Sequence, residues 1–378
     1  VIFISIDDNE VSNLRKTCDE IFGEDNFITN IVWQKKQSPQ NDAIYFSDMH
    51  DHILVYAKKA KASKNDPIGW SRILLPRTKE QDARYSNPDN DPRGIWTSSD
   101  MSVKTYSAAY DYSITTPSGR VVNPPEGRSW NMPRESFQQL IDDNRVWFGH
   151  EGTNVPRFKR FLTEVQEGIV PVTWWTREEY GDNQEAKQEL KKLMEGIETV
   201  FDTPKPVRLL KRILQISAEH NGDIILDFFA GSCSMAQAIM QLNAEDGGNR
   251  KFIMVQLPEP INGKSGINKG FKTISDIGKE RIRRAGEMIK SELKSEQSGK
   301  LALDGKMIDP DSLDIGFKVL KLDSSNIRKW NPDYDNLENS LFDHINNYVD
   351  GRTELDVVYE IMLKYGLDLT YSVDEYTF

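Results

Sequence analysis

The stretch DIILDFFAGSCSMAQAIM, residues 223–240, contains a strand pattern that passes through a small-residue turn into a helix pattern. Its apolar run ends in Asp227, two phenylalanines and a turn of small residues, and a helical pattern follows. Ligands of open parallel sheets bind at the carboxyl ends of the strands, where small residues let the backbone approach a cofactor closely. We therefore expect a cofactor site lined by Asp227, Phe229, Ala230, Gly231 and Ser232.

The spacing of the glycines limits which cofactor this turn could hold. It reads F-x-G, and the chain contains neither the G-x-G-x-x-G pattern that cradles a pyrophosphate nor a G-x-x-x-x-G-K-[ST] loop. A cofactor with adenosine but no phosphates, such as S-adenosylmethionine, fits better than NAD or ATP. The next strand ends in VQLPE, residues 255–259, which puts Gln256 and Glu259 near the expected ribose position. Tight packing of a helix on a strand would explain the same small residues.

The chain alternates strand and helix patterns in two blocks, which a loop-rich segment separates. VIFISIDD, FITNIVWQ and HILVYAKK are strand patterns of the first block, and KFIMVQL belongs to the second. There Ile282, Ala285, Ile289 and Leu293 share one helix face. This alternation predicts a parallel α/β sheet. Residues from about 60 to 195 are rich in Pro, Gly, Asn, Arg and Trp, so we expect a loop-rich insert with short strands.

The net charge of −11 does not exclude a nucleic-acid partner, because the acidic residues are concentrated near the end of the chain. Residues 301–378 contain 7 basic and 16 acidic residues, whereas residues 1–300 contain 41 and 43. The nearly neutral body leaves room for basic clusters that meet phosphates. Two cysteines cannot form a disulfide framework, and no apolar run approaches the roughly 20 residues that span a bilayer. We expect a cytoplasmic protein with no membrane partner.

Three segments of the second block, FDTPKPVRLLKRIL, DIILDFFAGSCS and KFIMVQLPE, resemble the cofactor-binding half of an amino-group DNA methyltransferase. VIFISIDDNEV, FGEDNFITNIVWQKK and HDHILVYAKK are similar to the strands that follow the catalytic loop of that family. With YSNPDNDPRGIW, NRVWFGHEG and RTELDVVYEIMLKYGLDLT, the chain resembles the modification (Mod) subunit of type III restriction-modification systems nearly end to end, in the permuted (beta-group) motif order. The resemblance implies an α/β fold with a Rossmann-like sheet that binds S-adenosylmethionine.

The resemblance also implies roles for individual residues. Two positions depart from the family's pattern. Cys233 stands where the family often has Gly, and Gln256 stands at the position of the ribose-binding acid unless Glu259 takes that role. The methionine end of the cofactor would be lined by Thr203, Lys205 and Pro206, and the floor of its site by Phe229 and Gly231, with Asp227 nearby.

The chemistry of the family rests on an Asp-Pro-Pro-Tyr loop, which we expect upstream of Val1 because the chain from Val1 to Phe378 does not contain it. Its Asp and a backbone carbonyl would accept hydrogen bonds from the target amino group, and its Tyr would stack on the flipped base. The nearest string, NPPE at residues 123–126, lacks the aromatic and is interpreted as a turn. The catalytic residues are therefore unknown. We expect this chain to be a fragment that is inactive alone and that exposes apolar sheet faces.

His50 and His52 in MHDHI have a metal-like spacing, but no third ligand is evident in the sequence. We interpret them as strand residues and expect no metal site. By the resemblance this segment lies near the pocket for the flipped base, so His52 is a candidate DNA contact. Alternating burial along a strand is the simpler explanation for Tyr56.

The insert carries basic and aromatic residues of the kind that bind DNA. Arginines hold phosphates and read base edges, although any single arginine is more commonly solvated or ion-paired. Trp174 and Trp175 are expected to pack a small core. The predicted DNA contacts are Arg120, Arg128, Trp130, Arg134 and Arg145, from a set that also contains Trp147, Phe148, Arg157, Lys159 and Arg160.

The sequence thus predicts an adenine-N6 DNA methyltransferase of a type III restriction-modification system that uses S-adenosylmethionine. The methyltransferase domain would comprise residues 1–60 and 196–325, the target-recognition insert residues 61–195 and an interaction region residues 326–378. The expected partners are double-stranded DNA, a second copy of the chain and the ATP-dependent restriction subunit. Methylation of cytosine N4 and a non-catalytic DNA-recognition or assembly subunit stay open as alternatives, and the missing glycine pattern disfavours an oxidoreductase.

Overall fold

The computed structural model describes residues 1–165, 168–196, 201, 203–219, 222–261, 271–297, 309–329, 334–336, 338 and 347–375. These residues belong to two compact units, Val1–Asp314 and Ile315–Phe378. No helix in the described ranges combines the length and the apolar character needed to cross a membrane.

The first unit is a mixed α/β structure. Its strands are β1 Ile2–Ile6, β2 Phe27–Gln34, β3 His50–Tyr56, β4 Trp96–Asp100, β5 Ser102–Val103, β6 Ile114–Thr115, β7 Val121–Val122, β8 Ser129–Trp130, β9 Val146–Trp147, β10 Arg157–Phe161, β11 Trp174–Trp175, β12 Ile224–Asp227 and β13 Lys251–Met254. Its helices are α1 Val11–Phe22, α2 Lys79–Asp82, α3 Arg134–Asp142, α4 Arg177–Tyr180, α5 Asn183–Leu193, α6 Val207–Ser217, α7 Ser234–Asp246 and α8 Ile274–Gln297.

The strands of the first block form a four-stranded sheet in the order β1-β3-β2-β11. The parallel arrangement predicted for this block is wrong, because β3 runs antiparallel to both β1 and β2. A loop without a crossover helix joins β2 to β3, and such a connection returns the chain in the opposite direction. Helix α1 crosses from β1 to β2, which lie on either side of β3 and therefore point the same way. Strand β11 pairs with β2 in parallel.

Residues 53–56 of β3 are all buried, and because successive side chains of a strand point to opposite faces, they pack in two cores on the two faces of this sheet. Ile53 and Val55 pack in the core that contains residues of α6, whereas Leu54 and Tyr56 pack with apolar residues of α1. Tyr56 is fully buried and donates a hydrogen bond from its hydroxyl to Asp19, 2.7 Å away. Tyr56 thus lies in a strand, as predicted, but the expected alternation of burial is wrong, because residues 53–56 are all buried.

The predicted core role of the tryptophan pair in β11 holds for one member. Trp175 is fully buried and stacks on Tyr180 with ring centroids 4.5 Å apart. Trp174 is 60% exposed, so its predicted place in a core is wrong. The two side chains differ because successive residues of a strand point to opposite faces.

Strands β12 and β13 form a two-stranded parallel sheet, as the second block predicts. One face packs on helices α6 and α7, whose apolar stripe the sequence pattern anticipates. The other face is apolar and exposed, which confirms the expected exposure of a sheet face. Its residues are Ile224, Leu226, Ile253 and Val255, with exposed fractions between 47% and 60%.

The insert has a core of its own and a closed base. A three-stranded sheet in the order β4-β10-β9 and the paired strands β5–β8 and β6–β7 surround this core. At the base, the backbone amides and carbonyls of Leu75 and Ile169 exchange two hydrogen bonds of 3.0 and 2.8 Å. The chain thus enters and leaves the insert at neighbouring points.

The second unit contains helix α9, Glu354–Lys364. Thr353 and Asp356 form a reciprocal capping box at its N-terminus, which satisfies two backbone amides of the first turn. Arg352 pairs with Asp323 at 3.0 Å, and Ile327 forms an antiparallel bridge with Tyr348.

Candidate functional site

The turn that follows β12, residues 228–233, lies against the end of β13. We call it the 228–233 turn. The backbone amide of Ala230 donates to Val255, 3.1 Å away, and the amide of Gly231 donates to the Gln256 side-chain oxygen, 2.7 Å away. The parallel pairing of the two strands brings these residues together, because their carboxyl ends meet at the same edge of the sheet.

Two acids at this edge have no cationic partner among the described residues. Within the described ranges the Asp227 carboxylate accepts one hydrogen bond, from the amide of Phe229 at 3.2 Å. Burial raises the pKa of the Asp227 carboxyl above its ordinary value, although that hydrogen bond lowers it in part. Glu259 is exposed, and within the described ranges its carboxylate has no hydrogen-bond or ion-pair partner. Both carboxylates are therefore available to accept hydrogen bonds from a ligand.

The other predicted residues of the turn divide into exposed and supporting side chains. Phe229 is 81% exposed, and its ring lies 5.1 Å from that of Phe228. Ala230 and Ser232 are buried, and the Ser232 hydroxyl accepts a hydrogen bond from Arg281 of α8. A ligand at this edge could therefore contact the Phe229 ring, whereas Ala230 and Ser232 support the backbone.

The segment 201–206 extends from the 228–233 turn to the first sheet. At one end, Phe201 lies so close to Gly231 that a Cβ on the glycine would meet a ring carbon at 2.8 Å. At the other end, the Lys205 ammonium donates to Asp51 at 2.9 Å and lies 4.6 Å from the centre of the Trp33 ring. Pro206 is buried and precedes the first residue of α6, and Thr203 is exposed. The segment that contains the predicted methionine-end residues thus contacts both the 228–233 turn and the sheet of β1, β2 and β3.

Asp51 is a residue of this site that the sequence reasoning missed. It is 8% exposed and also accepts a hydrogen bond from Lys35, 2.7 Å away. Burial raises the pKa of Asp51, but the charges of Lys205 and Lys35 outweigh it and hold the pKa below its ordinary value. The available signal was its position on β3, since an acid on the same face as two buried aliphatic residues requires a partner.

Arg281 was missed as well. It is fully buried in α8, and it donates to the hydroxyls of Ser232 and Ser234 at 2.9 and 2.6 Å. Its position four residues from both Ile277 and Ala285, on a buried helix face, is the pattern that could have identified it.

His52 follows Asp51 on β3, and its side chain points to the opposite face of the sheet. Its Nε2 atom is 2.7 Å from an Asp8 oxygen, and its Nδ1 atom is 2.9 Å from the Asn30 side-chain nitrogen. In the described part of the chain, Asp8, His50 and His52 form a group whose potential ligand atoms lie within 4.8 Å of one another. The fold thus supplies a third possible ligand that the sequence did not reveal. The expectation of no metal and the DNA role of His52 stay predictions.

The predicted DNA contacts occupy several kinds of environment. Trp130 is fully buried in the core of the insert, and its Nε1 donates to the Tyr112 carbonyl at 2.8 Å. This position corrects its assignment as a DNA contact, because a buried ring cannot stack on bases. Arg145 forms ion pairs with Glu164 and Asp143, and Arg128 with Asp100.

Other arginines of the insert carry charge that no acid offsets among the described residues. Arg120 donates to the Thr153 carbonyl and Arg134 to the Ser113 carbonyl, and both side chains are exposed. Arg157 and Arg160 are exposed residues of β10 that point to opposite faces of the strand, and they donate to serine side chains of β4. These four arginines form the more available basic set. Lys159, by contrast, is fully buried and pairs with Asp89 and Asp91.

The NPPE string at residues 123–126 is a turn, as predicted. The amide of Arg128 donates to the Pro125 carbonyl at 2.9 Å, and Gly127 has a positive φ of 71°. A turn closed in this way needs no catalytic explanation.

Comparison with known proteins gives one family over most of the chain. The sequence profile of the DNA methylase family matches residues 1–285. The Mod subunit of the type III restriction-modification enzyme StyLTI from Salmonella typhimurium is 37% identical over 295 residues, which are 77% of this chain and 42% of that protein. The Mod subunit of EcoP15I from Escherichia coli is 28% identical over 317 residues, 76% of this chain and 48% of that protein.

A third relative is named as a type II methyltransferase. The type II methyltransferase M.KpnI from Klebsiella pneumoniae is 29% identical over 306 residues, 75% of this chain and 68% of that protein. The chain thus spans less than half the length of the two type III relatives and about two thirds of the type II relative. On the match of its first 285 residues, the chain belongs to the DNA methylase family.

Proposed function

We propose that the protein is the modification subunit of a type III restriction-modification system, and that it transfers a methyl group from S-adenosylmethionine to N6 of adenine in double-stranded DNA. The proposal concerns the whole protein, because this chain spans less than half the length of its type III relatives. The observation that carries it is the end of the β12–β13 sheet in a member of the DNA methylase family, where two acids, Asp227 just before the 228–233 turn and Glu259 shortly after β13, have no cationic partner among the described residues.

The residues at this edge fit S-adenosylmethionine better than a phosphate-bearing cofactor. Two carboxylates, on Asp227 and Glu259, would repel a pyrophosphate but accept hydrogen bonds from ammonium and hydroxyl groups. Glu259 would take the ribose hydroxyls, since the Gln256 oxygen already accepts from Gly231. The ring of Phe229 offers an exposed apolar surface for the adenosine. When bound, the cofactor supplies the methyl group.

The segment with Thr203, Lys205 and Pro206 would approach the methionine end. Lys205 is held by Asp51, so its ammonium is fixed in direction rather than free to follow the cofactor. We propose that this ion pair sets the distance between the cofactor residues and the sheet of β1, β2 and β3. The two sheets would then be parts of one Rossmann-like sheet in the whole protein.

DNA would be bound through the insert. Arg120 and Arg134, together with Arg157 and Arg160 on β10, carry charge without acid partners among the described residues, which suits contacts with phosphates. Arg128 and Arg145 would take part only by exchanging their acidic partners for phosphates. The second unit, which contains the acidic end of the chain, is proposed to contact the restriction subunit or a second copy in the cytoplasm.

The proposal is tested with the complete protein, tritiated S-adenosylmethionine and double-stranded DNA. We expect label in N6-methyladenine after enzymatic digestion of the DNA to nucleosides. Label in N4-methylcytosine would show that the methylated base is cytosine and not adenine. A protein that binds both ligands without transferring label would be a DNA-recognition or assembly subunit. E259A and D227N should each weaken cofactor binding by about tenfold or more. D25N, which changes an exposed acid far from the turn in sequence, serves as the control.

A further inference from the structure

The 228–233 turn contains a residue in an unfavourable backbone conformation. Cys233 has φ 60° and ψ 37°, in the left-handed region. Among the described residues the other non-glycine positions with positive φ are Asn90 and Asn144, and asparagine tolerates this conformation better than other side chains do. A cysteine gains no comparable local hydrogen bond, so the surrounding structure must hold Cys233 in place.

Arg281 holds the residues on both sides of Cys233. Its Nη1 atom donates to Ser232, which precedes the cysteine, at 2.9 Å, and to Ser234, which follows it, at 2.6 Å. Its Nε atom donates to Gln237, one turn further along α7, at 2.9 Å. One rigid guanidinium thereby fixes the turn relative to the first turn of the helix.

The close approach of α8 makes these contacts possible. Gly278 lies one helical turn before Arg281, and a Cβ at that position would lie 2.7 Å from the Cys233 sulfur. The absence of a side chain at Gly278 therefore lets α8 lie directly against the turn. On the other side, Gln256 accepts the hydrogen bond of the Gly231 amide.

An ion pair does not explain why Arg281 is buried. It is fully buried, and within the described ranges no carboxylate lies within ion-pair distance of it. Its Nη2 atom is buried without a hydrogen-bond partner. Burying a guanidinium in this way is costly, and its hydrogen bonds go to the turn and to the start of α7.

We propose that Arg281 is a positioning residue for the cofactor, because it compensates for the left-handed Cys233 and keeps the 228–233 turn in the shape that binds S-adenosylmethionine. The inference rests on the proposed function, in which this turn lines the cofactor site. It makes a specific claim of coupling. If Arg281 acts on Cys233, replacing the cysteine by glycine, which adopts a positive φ freely, should remove most of the need for the arginine.

The experiment is a double-mutant cycle in the complete protein, with S-adenosylhomocysteine as the titrated ligand in calorimetry. R281M should raise Kd about tenfold in the wild-type background, the order expected when a left-handed non-glycine residue loses its support. In the C233G background, the same substitution should raise Kd less than about threefold. R281K, which keeps the charge but lacks the planar fork, should resemble R281M in the wild-type background.

The thermal unfolding midpoints of the four proteins in the cycle show whether Arg281 only stabilises the fold. The titrations are done well below these midpoints, so that every protein is folded when its Kd is measured. Equal losses of affinity in the wild-type and C233G backgrounds, or an unchanged Kd for both R281M and R281K, would overturn the proposal. Coupling in the midpoints without coupling in Kd would also overturn it. If the wild-type protein binds no S-adenosylhomocysteine, the proposed function fails instead, and uncoupled midpoints would then refute the support of Cys233 by Arg281.

Discussion

Asp51 gives the sharpest stability prediction, because its carboxylate is shared by two lysines in a buried position. D51N keeps the size of the side chain and removes its charge. The contacts to Lys35 and Lys205, at 2.7 and 2.9 Å, are worth about 6 kcal/mol each at an effective dielectric constant of about 20, before the cost of removing the charges from water. Removing one partner of a buried ion pair costs about 3–5 kcal/mol. Since Lys205 is 31% exposed, we expect about 3 kcal/mol.

The assay is urea denaturation of the complete protein, followed by tryptophan fluorescence. D311N is the matched control, because Asp311 also lies between two lysines, Lys290 and Lys294, but is 65% exposed. Its substitution should barely move the urea midpoint, since water screens exposed pairs. A loss for D51N no larger than that for D311N would refute the reasoning.

The pH dependence of D51N provides a second check on the same argument. The pKa of Asp51 is lowered in the folded protein by the two lysines, despite the opposing effect of burial. Its stabilising effect is therefore complete above the unfolded pKa of about 3.9 and is lost as the pH falls through the lower, folded pKa. The difference in unfolding free energy between the wild-type protein and D51N should shrink below about pH 4.

Three further predictions concern other parts of the chain. Burial raises the pKa of Cys233 from 9.0 to about 11, so the neutral thiol contributes about 3 kcal/mol that is complete below about pH 9 and lost as the pH rises through 11. The stability of the wild-type protein relative to C233A, measured by urea midpoints, should therefore fall over this range. Removing Arg157 and Arg160 should lower the slope of log K for DNA against log salt by about 0.9 per contacted phosphate, whereas R145A, which removes an ion-paired arginine, should change it less. The expectation that no metal binds near His52 is checked by titrating zinc in calorimetry, where a stoichiometric site that H52A abolishes would contradict it and would assign Asp8, His50 and His52 as ligands.

The sequence pattern predicts the elements of this fold better than their arrangement. The strand pattern HILVYAKK and the helix face of Ile282, Ala285 and Ile289 depend on local sequence, and both elements are found in the structure. The antiparallel direction of β3 was not predicted, because strand alternation says nothing about which neighbour a strand chooses when a loop replaces a crossover helix. Strand direction is decided by tertiary pairing.

The candidate site divides in the same way. The 228–233 turn and the segment 201–206 have distinctive residues, and each could be located from the sequence alone. Asp51 and Arg281 could not be assigned to them, because their partners are distant in sequence: Asp51 meets Lys205 154 residues away, and Arg281 meets Ser232 49 residues away. A buried charge can be noticed in a pattern, but its partner is chosen by the fold.

The two hydrogen bonds between Leu75 and Ile169 bear on how proteins of this type can diversify. Backbone groups make them, so the closure of the insert does not depend on which side chains stand at these two positions. Loop closure costs little extra as a segment lengthens, about 0.6 kcal/mol for each doubling. Under the proposed function, recombination could therefore exchange the segment between Leu75 and Ile169 for one of another length and recognition sequence. The cofactor residues, which lie outside it, would be inherited unchanged.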